Sequence, residues 1–428
     1  MPQRSGSANL PLHSGHVPAW LSGRMAKLGQ VIVEAIVLEY GRAELLRRLA
    51  HPFWFQSFGA VMGMDWHSSG ITTSVVGALK RGLAPMQREL GIYVCGGKGL
   101  KGRQTPAELA VVGDSTGIDA QALATSSRLV AKIDAAAVQD GFDLYLHAFF
   151  VSIEGAWCVV QQGMNETLKE ARRYHWQSEN LNGFFDSPHS GIEGRNVGVI
   201  VNLADARAQH SRSASLELAR TNPDRTLGVL RRWRRAGNLA LPLFPELDAA
   251  PPEPAASSQP HLDLPHHHEI RATDVSLKRL HATLAAAAER EPRDFAELLL
   301  QPGVGARTVA ALAFVAELVH GAPSRFSDPA RFALAHGGKD GHPFPVPLKV
   351  YDATLPVLKR AVERAHLGSS ETLAALRRLD EQARLLEACA SGASFEAHLA
   401  EEWSESPSYG GRCVEAAKRV RAADKRDL

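Results

Sequence analysis

Side chains suited to acid–base or metal chemistry concentrate in two stretches of the first half of the sequence. Asp65 and His67 lie in an Asp-Trp-His-Ser-Ser-Gly segment within otherwise apolar surroundings. Asp143 and His147 fall on one face of a run with strand-like alternation, and Gln162 ends the next such run. Buried polar groups cost free energy unless they are paired, so such clusters often mark sites. We therefore take these five residues as candidate catalytic residues.

Carboxylates and imidazoles also hold the divalent cations that activate water for phosphodiester hydrolysis. The candidate metal ligands are Asp143, His147, His175 and His189. If the protein cuts phosphodiesters, we expect the cation to be Mg²⁺ or Mn²⁺. The outline of a restriction-enzyme-like core is incomplete, because no lysine follows Gln161 or Gln162 by two places and Glu154 lies in the predicted turn.

Contact with a phosphate backbone is indicated by the segment from Leu298 to Leu312. An apolar helical end runs into Pro302-Gly303-Val304-Gly305, and a second helix follows. The glycines permit a sharp turn, and the free N–H groups of the second helix favour a phosphate. The spacing resembles the helix-hairpin-helix of DNA repair proteins, which holds the DNA backbone without reading bases. An ordinary αα-hairpin with a glycine turn is the alternative.

Cations elsewhere in the sequence extend this prediction. A glycine-rich loop after a predicted strand at 91–95 carries three cations and suits phosphate contact, although it lacks the P-loop spacing. A solvated basic loop is the alternative interpretation. The residues predicted to bind DNA are Gly303, Gly305, Arg307, Lys339, Lys98, Lys101 and Arg103.

Hydrophobic periodicity indicates the elements that position these residues. Residues 20–49 are predicted to be helical with a break at Gly41, and an aromatic-rich turn is expected at 51–55. A β-hairpin is predicted over 142–162, with Glu154-Gly155 at its turn. Residues 166–174 are predicted to form a helix with a basic face.

The sequence predicts an α+β protein, with a mixed N-terminal domain that contains a small sheet and an all-helical C-terminal domain that contains the hairpin. The N-terminal domain, the candidate catalytic domain, covers residues 1–237. A Pro-, Ala- and His-rich linker follows at 238–272. The helical DNA-binding domain covers 273–411, and 412–428 is a charged tail.

The charge and the cysteine content of the sequence argue against several classes of protein. A formal net charge of +2 provides no strong overall field toward nucleic acid, so DNA affinity must come from local patches. The four cysteines are scattered without a CxxC pair, which argues against an all-Cys zinc ribbon, a disulfide scaffold and a cysteine-ligated iron–sulfur cluster. The start of the sequence lacks an apolar signal core, and no apolar run is long enough to span a bilayer. We expect a cytoplasmic protein without membrane contact.

Several motifs together resemble one prokaryotic family, the domain of unknown function 763. They are Phe53-Trp54-Phe55-Gln56, Asp65-Trp66-His67-Ser68-Ser69-Gly70, Gly96-Gly97-Lys98-Gly99, Val159-Val160-Gln161-Gln162-Gly163-Met164-Asn165, Ala171-Arg172-Arg173-Tyr174-His175-Trp176 and Ala335-His336-Gly337-Gly338-Lys339-Asp340-Gly341. The resemblance covers nearly the whole chain except the linker and the tail. It brings no settled activity, so it implies no catalytic residue.

The sequence therefore favours a DNA-binding protein of repair or processing, with a metal-dependent nuclease as its possible catalytic form. A non-catalytic DNA-binding or scaffold protein is one alternative. A DNA glycosylase is another, but Arg307 stands where the lyase-type enzymes that the hairpin resembles have a lysine. Arginine stays protonated and cannot form a Schiff base. Convergence of the candidate catalytic residues in one cleft would favour an enzyme, and their separation would favour binding alone.

Overall fold

The computed structural model describes residues 10–11, 19–62, 64, 69–179, 181–235, 277–330 and 360. The helices are α1 (Ala19–Leu49), α2 (Pro52–Val61), α3 (Gly70–Leu83), α4 (Gln87–Leu90), α5 (Leu100–Arg103), α6 (Thr105–Thr116), α7 (Ala120–Lys132), α8 (Gln209–Arg220), α9 (Pro223–Arg235), α10 (Leu277–Arg290), α11 (Phe295–Leu300) and α12 (Ala306–His320). The strands are β1 (Leu10–Pro11), β2 (Ile92–Lys98), β3 (Val138–Gln139), β4 (Asp143–Ser152), β5 (Trp157–Asn165), β6 (Glu170–Gln177), β7 (Gly191–Glu193), β8 (Val199–Asn202) and β9 (Arg325–Ser327). One π-helical turn (Ile133–Ala137) and one 3₁₀ turn (Ala206–Ala208) complete the described elements. The α+β class is confirmed.

An antiparallel sheet with the order β1-β6-β5-β4-β2 forms the centre of the structure, and β7 pairs with β6. The predicted hairpin is present as β4 and β5, which pair from Asp143 with Met164 to Val151 with Trp157. A bulge between Leu144 and Leu146 leaves Tyr145 as an extra residue in β4. The bulge lies near the beginning of β4, between the candidate catalytic residues Asp143 and His147.

Helices cover both faces of this sheet. On one face, Phe150 and Val160 pack into a hydrophobic cluster with residues of α1, α2 and α3. On the other face, Phe149, Val159 and Trp176 pack with residues of α6, α7, α8 and α10 to α12. Because both faces are buried, polar residues on the strands must find partners inside the protein.

The C-terminal hairpin elements share this second core. Strand β9 pairs with β8 in a small sheet of the order β3-β8-β9. Asp328, just after β9, binds the guanidinium of Arg172 in β6 through both oxygens, at 3.0 and 2.7 Å. Asp140 binds the same guanidinium at 2.7 Å. The three side chains are buried, and this ion triad joins the central sheet to the segment that follows β9.

The helix predicted over 166–174 is wrong. A turn at 166–169 leads into strand β6, whose residues alternate between the two faces of the sheet. Arg172 and Arg173 suggested a solvated helical face, but both are fully buried and paired with carboxylates. Burial with partners removes the reason to assign such charges to solvent.

Two features of the N-terminal helices bear on the sequence predictions. The break at Gly41 is confirmed, because this residue has φ 85° and ψ 167° inside an otherwise helical segment. The turn expected at 51–55 is instead the beginning of α2, with Pro52 at its first position, where the missing N–H costs nothing. A proline is compatible with a turn and with the first position of a helix, and here Pro52 begins a helix.

Candidate functional site

The turn between α11 and α12 presents backbone to solvent. Gly303 is exposed and has φ 85°, a conformation that favours glycine. Gly305 precedes the first residue of α12, and no side chain caps that helix. The first N–H groups of a helix have no acceptor within the helix. Arg307 is exposed in this first turn, so a cation and uncapped N–H groups lie together.

Helix α7 and the residues after it hold this turn in place through two hydrogen bonds. The Lys132 ammonium donates to the carbonyl oxygen of Val304 at 2.5 Å. The Gln139 amide donates to the carbonyl oxygen of Ala306 at 2.9 Å. Val304 itself is buried, and burial lowers the pKa of Lys132. The turn is therefore attached to the body of the protein on both sides of Gly305.

Arg128 is a further cation on the helix that carries Lys132. It is exposed on α7 and lies four positions before Lys132, so the two residues occupy neighbouring places on one helix face. None of Lys132, Gln139 and Arg128 was predicted from the sequence as a site residue. The only available signal was the helical spacing of Arg128 and Lys132, which says nothing about a turn at residue 304.

The predicted basic loop forms the end of β2 and helix α5. Lys98, Lys101 and Arg103 are exposed there, and the Lys98 ammonium lies 5.8 Å from the centre of the Tyr145 ring. Gly102 packs closely against His147, because an added Cβ would lie 3.4 Å from the His147 backbone nitrogen. His147 also contacts α7. Helix α7 therefore lies near the basic loop as well as near the turn between α11 and α12.

Asp134 is the centre of a buried polar network on the α7 face of the sheet. It lies in the π-helical turn after α7, a conformation that is frequent at functional sites. One carboxylate oxygen accepts from Gln161 Nε2 at 2.5 Å and from Trp176 Nε1 at 2.9 Å. The other lies 2.5 Å from His189 Nε2. Asp134 thus orients three side chains from different elements.

His147 extends the network to α7. Its Nδ1 lies 2.8 Å from Gln161 Oε1, and its Nε2 lies 2.9 Å from the hydroxyl of Ser127. Because Gln161 donates to Asp134 through Nε2, its Oε1 accepts, so His147 carries its proton on Nδ1. Nε2 then accepts from Ser127. Burial lowers the pKa of His147, and the hydrogen bond to Gln161 partly opposes this effect.

A serine hydroxyl that donates to a neutral imidazole is an arrangement used to activate a nucleophile. Ser127 is only 2% exposed, and Asp134 and Gln161 are buried as well. No substrate reaches the Ser127 oxygen in this conformation. The network instead fixes the position of α7, and with it Lys132 beneath the hairpin turn.

A second buried network lies on the opposite face, around Arg173. Its guanidinium donates to His175 Nε2 at 2.9 Å and to Gln56 Oε1 at 3.0 Å, and it pairs with Glu193. His175 Nδ1 faces the carbonyl oxygen of Leu49 at 3.2 Å. Burial, together with the nearby charge of Arg173, holds the pKa of His175 well below its usual range. His175 is therefore a neutral link between β6 and the end of α1.

Gln162 belongs to that opposite face too. Its Nε2 donates to the carbonyl oxygen of Ser69 at 2.9 Å and to the Tyr145 hydroxyl at 2.6 Å. Its Oε1 is buried and has no hydrogen-bond partner among the residues that the structure describes. Burial raises the pKa of Tyr145. Gln162 and Tyr145 thus lie against the residue that follows the Asp65–Ser68 segment in the sequence.

The candidate catalytic residues that the structure describes lie apart. His147 and Gln162 project from opposite faces of the sheet, and Asp143 is exposed at the start of β4. Asp65, His67 and Lys339 lie outside the described residues. Their part in a site stays a prediction.

The four candidate metal ligands are distributed over the same structure. His147 and His175 lie on opposite faces, Asp143 is exposed, and His189 pairs with Asp134. Within the described ranges, no group of three or more His, Cys, Asp or Glu residues is arranged to hold a metal ion. In the same ranges, no helix has the length and apolar character needed to cross a membrane.

Comparison with known proteins places most of the chain in one family. Residues 6–346 match the family model described as "Protein of unknown function (DUF763)". No curated protein and no solved structure gives a significant match. The matched range includes both buried networks and the hairpin turn.

Proposed function

We propose that this chain, which belongs to the DUF763 family, binds the phosphate backbone of DNA through the turn between α11 and α12, in DNA repair or processing. The observation that carries the proposal is the braced turn. Uncapped N–H groups and the exposed Arg307 lie together on a segment that Lys132 and Gln139 hold in place. A pre-organised anion site loses less conformational entropy when its ligand binds.

The chemistry of the turn favours backbone contact over base recognition. Gly303 and Gly305 have no side chains, so a phosphate can approach the main chain closely. N–H groups and arginine bind phosphate oxygens without regard to sequence. Arg128 and the cations of the α5 loop would add long-range attraction for the same polyanion.

Binding without catalysis is the simpler form of the proposal, because His147 and Gln162 lie on opposite faces. A lyase-type glycosylase receives no support at the hairpin, since Arg307 cannot form a Schiff base. The protein would then position DNA for another activity or act as a scaffold.

Metal-dependent phosphodiester hydrolysis is a second candidate, favoured by the surroundings of Gln162. Among the described residues its Oε1 has no hydrogen-bond partner, and its Nε2 contacts the Tyr145 hydroxyl and the carbonyl oxygen of Ser69, which directly follows the segment that holds Asp65 and His67. A carboxylate and an amide oxygen are suitable ligands for Mg²⁺ or Mn²⁺. Cleavage of single-stranded, duplex and flap DNA with each cation tests this candidate. Asp65→Ala should abolish cutting and Asp143→Ala should not, whereas DNA binding without any cutting would rule it out.

Backbone binding is tested directly by fluorescence anisotropy with labelled duplex DNA at low salt. Arg307→Glu should weaken binding, because it puts a negative charge where a phosphate is expected. Arg88→Glu is the matched control, since Arg88 is an exposed arginine on α4 and lies outside the proposed site. Equal effects of the two variants would mean that only overall charge matters and would contradict the assignment to the turn.

A further inference from the structure

A cavity of about 420 Å³ opens between the loop at residues 183–186, helix α8 and the beginning of α11. Three phenylalanines line it, namely Phe184, Phe185 and Phe295, together with Arg212 and Ser213 of α8. Its volume lies in the range of sites that take small molecules. None of these residues was predicted from the sequence as a site residue.

Arg212 brings an incompletely compensated positive charge to the cavity. The residue is 8% exposed, and its Nη1 donates to the carbonyl oxygens of Leu203 and Asp205 at 2.9 and 2.7 Å. Within the described chain, its Nε and Nη2 make no hydrogen bond. The nearest carboxylate is that of Asp186, at 3.6 Å, on a side chain that is 60% exposed. Because the Asp186 carboxylate is exposed and lies 3.6 Å away, the pair contributes little, and the guanidinium can accept an anion.

Asp186 also lines the cavity, and the two remaining charged residues already have partners. Asp294 accepts from the backbone N–H of Glu297 at 2.8 Å and thereby caps α11. Arg293 pairs with the carboxylate of Glu297. Arg293 is exposed, so Arg212 is the buried cation at this cavity.

The aromatic walls favour a flat ligand. The rings of Phe185 and Phe295 meet edge to face with centroids 5.3 Å apart, and Arg212 lies 5.5 Å above the Phe185 ring. Phe184 and Phe185 are half-buried, so their rings are partly open to a ligand. Phenylalanine rings stack on nucleobases, and a guanidinium group binds phosphate. We infer that this cavity binds a nucleoside monophosphate unit, with its base against the phenylalanines and its phosphate at Arg212.

The inference rests on the proposed function for one source of that unit. Phe295 begins α11, and this helix leads to the turn at Gly303 over roughly 10 Å at 1.5 Å per residue. A DNA strand held at the turn therefore has nucleotides within reach of the cavity, and an unstacked one supplies the same chemistry as a free mononucleotide. The two sources are separated experimentally.

The test uses titration calorimetry of the full chain with deoxyadenosine monophosphate, deoxyadenosine and inorganic phosphate. The nucleotide should bind about tenfold more tightly than either part alone, because stacking and phosphate contact act together. Ser213→Phe should fill the cavity and abolish binding. His210→Phe is the matched control, since His210 is exposed on the same helix but does not line the cavity.

A second variant guards against a folding defect. Phe184→Leu removes one stacking wall and should weaken nucleotide binding while leaving phosphate binding unchanged, a selective loss that a structural defect would not produce. Nucleotide binding by Ser213→Phe at the wild-type affinity, or phosphate binding as tightly as the nucleotide, would overturn the inference.

Competition with a single-stranded DNA oligonucleotide distinguishes the sources. If the oligonucleotide displaces the nucleotide from wild type but not from Arg307→Glu, the nucleotide unit belongs to a strand held by the turn. If the oligonucleotide does not displace the nucleotide, the ligand is a free mononucleotide. If Arg307→Glu binds DNA normally while Ser213→Phe loses the nucleotide, backbone binding at the turn fails and the cavity assignment stands. The reverse pattern rejects the cavity alone.

Discussion

The ammonium group of Lys132 hydrogen bonds to the carbonyl oxygen of Val304 at 2.5 Å, across 172 positions of the sequence. This contact joins α7, which the sheet holds through Ser127 and His147, to the exposed turn before α12. The contact thus holds the turn rigidly against the core, so the turn is not a free loop. Its proposed role in binding a phosphate backbone depends on that rigidity.

Replacement of Lys132 by methionine should loosen the turn without removing Arg307. The variant leaves the Val304 carbonyl without its donor, and a hydrogen bond to a charged group contributes about 1.5–3 kcal/mol. Amide hydrogen exchange at residues 303–308 should therefore become at least about tenfold faster. Lys101→Met, at an exposed position of α5, is the control. Unchanged exchange in Lys132→Met would show that the turn does not need the brace.

Two buried histidines should make the protein less stable in mild acid. Burial lowers the pKa of His147 and of His175 from 6.5 in the folded state. Below pH 6.5 the unfolded chain binds protons that the folded chain does not, so the free energy of unfolding falls as the pH falls. Each histidine should reduce it by up to about 1.4 kcal/mol between pH 7.5 and pH 5.5.

Urea denaturation at both pH values measures this effect. His147→Gln and His175→Gln should each reduce the difference between the two pH values, because glutamine does not titrate. His210→Gln, at an exposed position of α8, is the control. A pH difference as large in both core variants as in wild type would assign the acid sensitivity to other groups.

The parts of the fold that follow local patterns were predictable from the sequence. Alternation on both sides of Glu154-Gly155 predicted the β4–β5 hairpin, and glycine spacing predicted the turn at residues 302–305. Strand β6 was missed because Arg172 and Arg173 suggested a solvent-facing helix. Their partners Asp328 and Glu193 lie far along the chain, so no local signal showed that the charges are paired.

The candidate site was predictable only in part, for the same reason. Strand alternation already implies that Gln161 and Gln162 face opposite sides, but only the register shows that His147 pairs with Gln161 rather than Gln162. Lys132 and Gln139 reach the hairpin turn through tertiary packing. No spacing within the sequence connects them to it.

DNA binding at the turn between α11 and α12 is tested by the salt dependence of DNA affinity for wild type and Arg307→Glu. Each phosphate contact contributes about one unit to the slope of log affinity against log salt. We expect the variant to bind more weakly at low salt and to show a slope reduced by about one unit. Unchanged affinity together with an unchanged slope would contradict the assignment of DNA binding to the turn between α11 and α12.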